Sequence, residues 1–250
     1  MKKTIILIHG VRGTHHGLSS IADHLSKKYK VITPDLPGSG VRMELKNKTM
    51  DGYVEWLHQY IENLKIKQKP YIVGHSMGSM IVSHYLEKYS DDTQRKIILM
   101  SPIFRSNFGQ MFSNVTCAFL IAALHLLPTS LRYGLLRCKF VSYCISHFLT
   151  YDKSQQKTID QLHYRYSGRF SSADSIMGDI KISMRKQTII PANKDVLLII
   201  GDNDQLTSLK LARRQAEKRN VTMKVISNSG HLINYETPKQ VADEIDAFIG

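Results

Sequence analysis

The chain has 250 residues, 42% of them hydrophobic, and a formal charge of +13 at pH 7. That is enough apolar material for one large domain, or for a core carrying a sizeable insertion, and it excludes a natively disordered chain. The charge points to an anionic contact, such as a phosphorylated or carboxylated substrate, a lipid surface or nucleic acid, or else to a basic surface that is simply solvated.

The opening MKKTIILIHG imitates a secretory leader. Its apolar run stops at His9 and Gly10, short of the roughly 7–15 residues such a segment needs, so residues 4–8 read as a first strand. Leu18, Ile21, Ala22 and Leu25 then recur at helical spacing, residues 31–33 form a second β-branched run, and Val54, Leu57, Ile61 and Leu64 mark another helix. Residues 71–73 predict a strand that leads into a helix over about 77–89, and residues 96–100 predict the next strand. The runs are apolar nearly throughout, as strands covered on both faces are.

From 103 to 190 the alternation stops and only helical apolar patches appear. The stretch is too long for a loop and predicts a helical insertion over one end of the sheet. It holds eleven Lys and Arg against four Asp and no Glu, so its net +7 is over half of the chain's +13. Its longest apolar run, residues 115–127, ends at Pro128, short of the ~18–20 residues a membrane span requires, which predicts a soluble protein. Cys117, Cys138 and Cys144, odd in number and set among apolar residues, fit neither a disulfide framework nor a zinc site and point to a reducing cytoplasm.

Strand patterns resume at 196–200 and 222–226, and Val241, Ile245 and Phe248 repeat at helical spacing after Pro238, a residue suited to a first turn. Strand and helix in alternation predict an α/β fold, a mostly parallel sheet of about six strands with helices on both faces. The predicted core is 1–102 and 191–250, with the helical insertion at 103–190.

Functional groups in such a sheet gather at the C-terminal strand ends. Gly74-His75-Ser76-Met77-Gly78 stands there, a G-x-S-x-G between a strand and a helix. A turn that tight strains the serine, and side chains in place of Gly74 or Gly78 would collide with backbone. A serine hydroxyl needs a base to become nucleophilic, and the base needs an orienting carboxylate. GDNDQLT after the fifth strand offers Asp202 and Asp204, and SGHLINYETP after the sixth offers His231. Asp202 reads as an acceptor of backbone hydrogen bonds that caps the following segment. His75 reads as packing beside the turn, His9 as a buttress of the loop after the first strand, Asp35 as the fastening of its own turn, and His15 and His16 as capping and solvating the first helix.

These segments resemble the α/β-hydrolase fold family of serine hydrolases. ILIHG resembles the His-Gly segment before that family's oxyanion loop, VITPDLPGSG its Asp-x-x-Gly-x-Gly segment, and SGHLINYETP its Gly-His segment. Gly201 to Asp204 fits the family's Gly-x-x-Asp pattern, which favours Asp204 as the acid. The resemblance implies a Ser76-Asp204-His231 triad, an oxyanion hole made by the backbone N–H groups of Val11 and Met77, and an insertion acting as a cap, with no metal or organic cofactor. The first strand resembles the family's third, which implies a compact member.

The implied reaction is two-step acyl transfer on a carboxylic ester, with a lipid-like ester as one substrate class. HGVRGT and DLPGSG also resemble C–C bond hydrolases and the lyase of menaquinone synthesis, enzymes that grip an anionic substrate with arginines. That makes Arg12, Arg105, Arg132, Arg165 and Arg169 candidates for binding. For an apolar substrate, Met111, Phe112, Phe119, Leu120, Leu124 and Leu127 form a candidate pocket set, with Phe119 and Leu124 foremost. The expected partners are a small apolar or anionic substrate and, transiently, anionic lipid; no nucleic acid is expected, because the charge forms no aromatic-interleaved stripe.

Overall fold

The computed structural model describes residues 2–40, 44–46, 48–105, 107–165 and 172–250, without the side chains of 107–110, 112–114, 117 and 121. Arg169 lies outside the described residues, as do the side chains of Phe112 and Cys117.

Six strands form one sheet in the order β2-β1-β3-β4-β5-β6. They are β1 (Thr4–Ile8), β2 (Lys30–Ile32), β3 (Tyr71–His75), β4 (Lys96–Met100), β5 (Asp195–Gly201) and β6 (Thr222–Ile226). Every neighbouring pair is parallel. The pleat sends alternate residues to opposite faces. Ile6, Ile8, Leu198 and Ile200 meet α2 (Met50–Asn63), α3 (Met77–Lys88) and α9 (Leu209–Arg219) on one side. Ile5, Leu7, Leu197 and Ile199 meet α1 (Ser19–Ser26) and α11 (Pro238–Ile249) on the other.

Local signals explain where these helices begin. The Thr49 hydroxyl accepts a hydrogen bond from the Gly52 N–H at 3.1 Å, a cap worth about 1 kcal/mol at the start of α2. Pro238 occupies the first turn of α11, where its missing N–H costs nothing.

Continuous burial holds for the central strands and fails at the edges. Thr222 and Lys224 of β6 are exposed in alternation with partly covered neighbours, and Lys224 pairs with Glu244 of α11 at 3.1 Å. An edge strand has a partner on one side only, so its outer residues meet water.

Between β4 and β5 the chain forms α4 (Asn107–His125), α5 (Thr129–Arg137), α6 (Lys139–Leu149), α7 (Gln156–His163) and α8 (Ala173–Arg185). Because β4 and β5 are direct neighbours in the sheet, this excursion leaves and returns without interrupting the ladder. It holds a small apolar cluster of its own in Leu124, Leu136, Ala173 and Ile176. α8 also reaches the main core through Ile182. There Asp179 accepts a hydrogen bond from Tyr53 Oη at 2.6 Å and an ion pair from Lys48 at 3.1 Å. Burial pushes the Asp179 carboxyl up to about 6, with Lys48 opposing it.

The order of connection reverses at β1, which has β2 on one side and β3 on the other. A crevice opens at such a switch point beyond the strand ends, and the loops after β1 and β3 meet there.

Candidate active site

β3 ends at His75, α3 begins at Met77, and Ser76 joins them at φ 54° and ψ −119°. That conformation is strained for a residue with a side chain and persists because its surroundings over-determine it. A Cβ on Gly74 would strike the Gly78 backbone, and one on Gly78 would strike the carbonyls of Ile8 and His9. The Ser76 N–H donates to Met100 O at 2.9 Å, and the Ser79 hydroxyl lies 2.7 Å from Gly74 O and 2.9 Å from Met100 O. Ser79 braces the turn, a role that the motif spacing does not signal.

His231 lies in the loop after β6 with its Nε2 2.9 Å from Ser76 Oγ. Its Nδ1 is 3.0 and 2.9 Å from the two oxygens of Asp204. An ionised Asp204 can only accept, so it takes the Nδ1–H and leaves Nε2 free to accept from the serine. Burial alone would raise the Asp204 carboxyl; the nearby His231 and the amides of Leu206 and Thr207, each donating at 2.8 Å, bring it below the usual carboxylate range. Asp202 accepts from the Ser229 N–H at 3.2 Å and the Asn203 side chain at 2.7 Å, so it fastens the neighbouring loop and does not cap the segment that follows it.

The backbone of His231 is held from both sides. Its N–H donates to Leu149 O at the end of α6 at 2.8 Å, and its carbonyl accepts from His75 Nε2 at 3.1 Å. Burial lowers His75 to about 3, so this ring is a neutral donor that orients the loop. Glu236 fastens the same loop to the insertion. One of its oxygens accepts from the Gly230 N–H at 2.9 Å, the other from the N–H groups of Tyr151 and Asp152, both at 2.9 Å. Burial raises the Glu236 carboxyl against the pull of those three amides. Nothing in the motif pattern singles this residue out.

On the opposite wall, His9 donates from Nδ1 to Gly10 O at 2.9 Å and accepts the Leu36 N–H at Nε2 at 3.0 Å. Burial lowers it to about 4, which keeps it neutral in that bridging role. Asp35 accepts from the backbone N–H of His15 at 2.6 Å and from its ring at 3.0 Å, so it ties its own turn to the loop after β1. Val11 and Ser76 line one cavity of about 830 Å³. The Met77 side chain is wholly buried in the core, and its backbone N–H stands at the start of α3, directly after Ser76.

The cavity roof differs from the predicted pocket set. Ile145, Phe148, Leu149, Ile180 and Met184 line it, whereas Phe119 and Leu124 do not. Phe119 is 75% exposed and Leu124 is buried in the insertion's own cluster. α4 packs on α8 through Leu124, while Met111, Val115 and Phe119 of the same helix stand exposed and outside the cavity lining.

Arg12 and Arg105 line the cavity, and Arg132 and Arg165 do not. Arg12, at φ 58°, is 4% exposed and reaches up into the insertion. It donates to Leu136 O at 2.5 Å and to Ser142 Oγ at 2.7 Å, which leaves its buried Nε without a hydrogen-bond partner among the described residues. Burial lowers its guanidinium to about 10.

Residues 3–238 match the alpha/beta hydrolase fold family, and the chain belongs to it; it is a hydrolase of that fold. It is similar to the monoacylglycerol lipase ABHD6 of Homo sapiens, 23% identical over 265 residues that take in 99% of this chain and 75% of that protein. It is also similar to the (E)-2-((N-methylformamido)methylene)succinate hydrolase of Acinetobacter baylyi, 22% identical across 98% of this chain and 89% of that one. Among solved structures, a thermophilic esterase from Thermogutta terrifontis superposes with a TM-score of 0.76 at 18% identity, covering 100% of this chain and 90% of the esterase. Among the described residues, no helix is long and apolar enough to cross a membrane.

Proposed function

We propose that this hydrolase cleaves carboxylic esters, including lipid-like ones, through a Ser76-His231-Asp204 triad. The observation that carries the reading is the continuous hydrogen-bonded line from Ser76 Oγ through His231 to Asp204, in the wall of a cavity roofed by apolar side chains. Ser76 Oγ attacks the carbonyl carbon as His231 Nε2 takes its proton, and Asp204 stabilises the imidazolium. The carbonyl oxygen becomes an oxyanion between the N–H groups of Val11 and Met77. Each such donor is worth about 2.7–4 kcal/mol of barrier. His231 returns the proton to the departing alcohol, leaving an acyl-Ser76 ester. Water, deprotonated by the same imidazole, then releases the acid and restores the serine.

Purified protein is expected to release p-nitrophenol from short and medium acyl esters and to be labelled at Ser76 by a fluorophosphonate. Absence of label on folded protein would remove the activated serine and the proposal with it.

A second reading, C–C bond hydrolysis or lyase chemistry on an anionic substrate, draws support from Arg12. A buried guanidinium in the cavity wall whose Nε has no partner among the described residues is suited to a carboxylate, and a relative is named as the hydrolase of a substituted succinate. An ester panel run beside a dicarboxylate C–C substrate separates the two, since the ester reading expects turnover to follow acyl length.

A further inference from the structure

Among the described residues, every large hydrophobic side chain left exposed lies between Met111 and Tyr151, except Leu206. The pattern is clearest on α4. Met111, Val115, Phe119 and Leu126 are 58%, 65%, 75% and 86% exposed. At 3.6 residues per turn they share about 80° of the helix circumference, opposite the buried Leu124, while Leu120, 42% exposed, stands outside that arc. Leu126 belongs to the same stripe because its N–H still bonds Ala122 O at 3.2 Å. α5 adds Leu131 and Leu135, and α6 adds Phe140, 72% exposed, and Tyr143. Exposed apolar side chains gathered on three successive helices are the mark of a docking surface.

Charge identifies what docks. Across residues 107–150 the only Lys, Arg, Asp or Glu side chains are Arg132, Arg137 and Lys139, so these three helices supply basic groups and no carboxylate of their own, although Asp174 of α8 reaches Tyr133 of α5 at 2.7 Å. A second copy would set the same positive charges against each other. An anionic bilayer offers both an apolar interior and negative headgroups, and basic residues near such a surface contribute about 1 kcal/mol each. Since no described helix is long and apolar enough to cross, the fitting geometry is a helix lying in the interface. Phe148 of α6 and Leu206 are exposed and also line the cavity, so apolar side chains stand at its mouth.

We propose that α4, α5 and α6 form a face that docks on an anionic phospholipid bilayer, with the stripe from Met111 to Leu126 lying at the headgroup boundary and the cavity mouth turned toward the membrane. The docking is independent of the triad chemistry, and binding and turnover are read separately. The test is co-sedimentation of the full chain with vesicles of phosphatidylcholine, with and without phosphatidylglycerol. Binding is expected on the mixed vesicles, weakening with added salt and several-fold lower on phosphatidylcholine alone. Phe119→Asp and Leu126→Asp are each expected to weaken it about tenfold, as loss of one buried apolar side chain does. Phe140→Asp, on a separate helix, does the same independently, while all three variants keep the melting temperature and the soluble-ester turnover of the parent. Equal binding to neutral and anionic vesicles overturns the proposal. So does failure to bind either, including the case in which the parent is a dimer that Phe119→Asp dissociates.

Discussion

The sheet core and the helical insertion use apolar residues in opposite ways. In the core, β1, β3, β4 and β5 bury almost every side chain between two helical layers. In the insertion, one small cluster of Leu124, Leu136, Ala173 and Ile176 holds the helices together, while Phe119, Leu126 and Phe140 face outward. Burial on both sides leaves the core rigid enough to hold Ser76 in a strained conformation. The insertion contributes contacts instead: Leu149 O to the His231 backbone, the amides of Tyr151 and Asp152 to Glu236, and the apolar cavity roof. The buried half thus holds the strained Ser76 turn, and the exposed half supplies the cavity roof and helps to hold the loop that carries His231.

The largest effect expected falls on the core site. Ser76→Ala should lower ester turnover by about a million-fold, as loss of a triad nucleophile does, while leaving thermal stability nearly intact because alanine keeps the same backbone conformation and only one hydroxyl is lost. Steady-state rates beside a thermal melt check both halves of that statement.

Acid titration tests the two regions together. Burial lowers His9 to about 4, His75 to about 3 and His163, in the insertion, to about 4, all below the ordinary value of 6.5. The unfolded chain therefore takes up protons below pH 6.5 that the native protein refuses. The stability these groups contribute is complete above pH 6.5 and is lost as pH falls toward 4, at up to about 1.4 kcal/mol per pH unit for each. Urea midpoints measured from pH 7 to pH 4 should fall accordingly, and His163→Gln should flatten the slope by one proton's share. An unchanged slope would mean that the insertion unfolds separately from the core.

Paired truncations sharpen the contrast. Leu198→Ala in β5 should cost about 2–5 kcal/mol, whereas Leu131→Ala on the outward face of α5 should stay within about 0.5 kcal/mol. Chemical denaturation of both variants gives the ratio directly.

The mildest substitution probes the joint between the regions. Glu236→Gln keeps the shape but weakens acceptance from the Gly230, Tyr151 and Asp152 amides, and should cost about 1–3 kcal/mol. Turnover should fall with KM nearly constant, because the loop that carries His231 loosens while the cavity walls stay in place.

The sequence by itself determined the strands, the elbow at Ser76 and the order Ser, Asp, His along the chain. These are local signals: an apolar run, a glycine on either side of a turn, a carboxylate or imidazole just past a strand end. The triad residues so named do come within hydrogen-bond distance of one another.

The tertiary structure alone decided which face of α4 is turned inward, and so that Phe119 and Leu124 stay out of the cavity while Ile145, Phe148 and Met184 line it. It alone set Arg12 against Leu136 and Ser142, and Glu236 against the amides of Tyr151 and Asp152 in a distant segment as well as that of nearby Gly230. The reason is physical. Periodicity shows that a helix has an apolar side but not which neighbour it meets, and a helix apolar nearly all round has no periodicity to read. A hydrogen bond between residues far apart in the chain leaves no spacing in the sequence, because the fold alone brings its ends together.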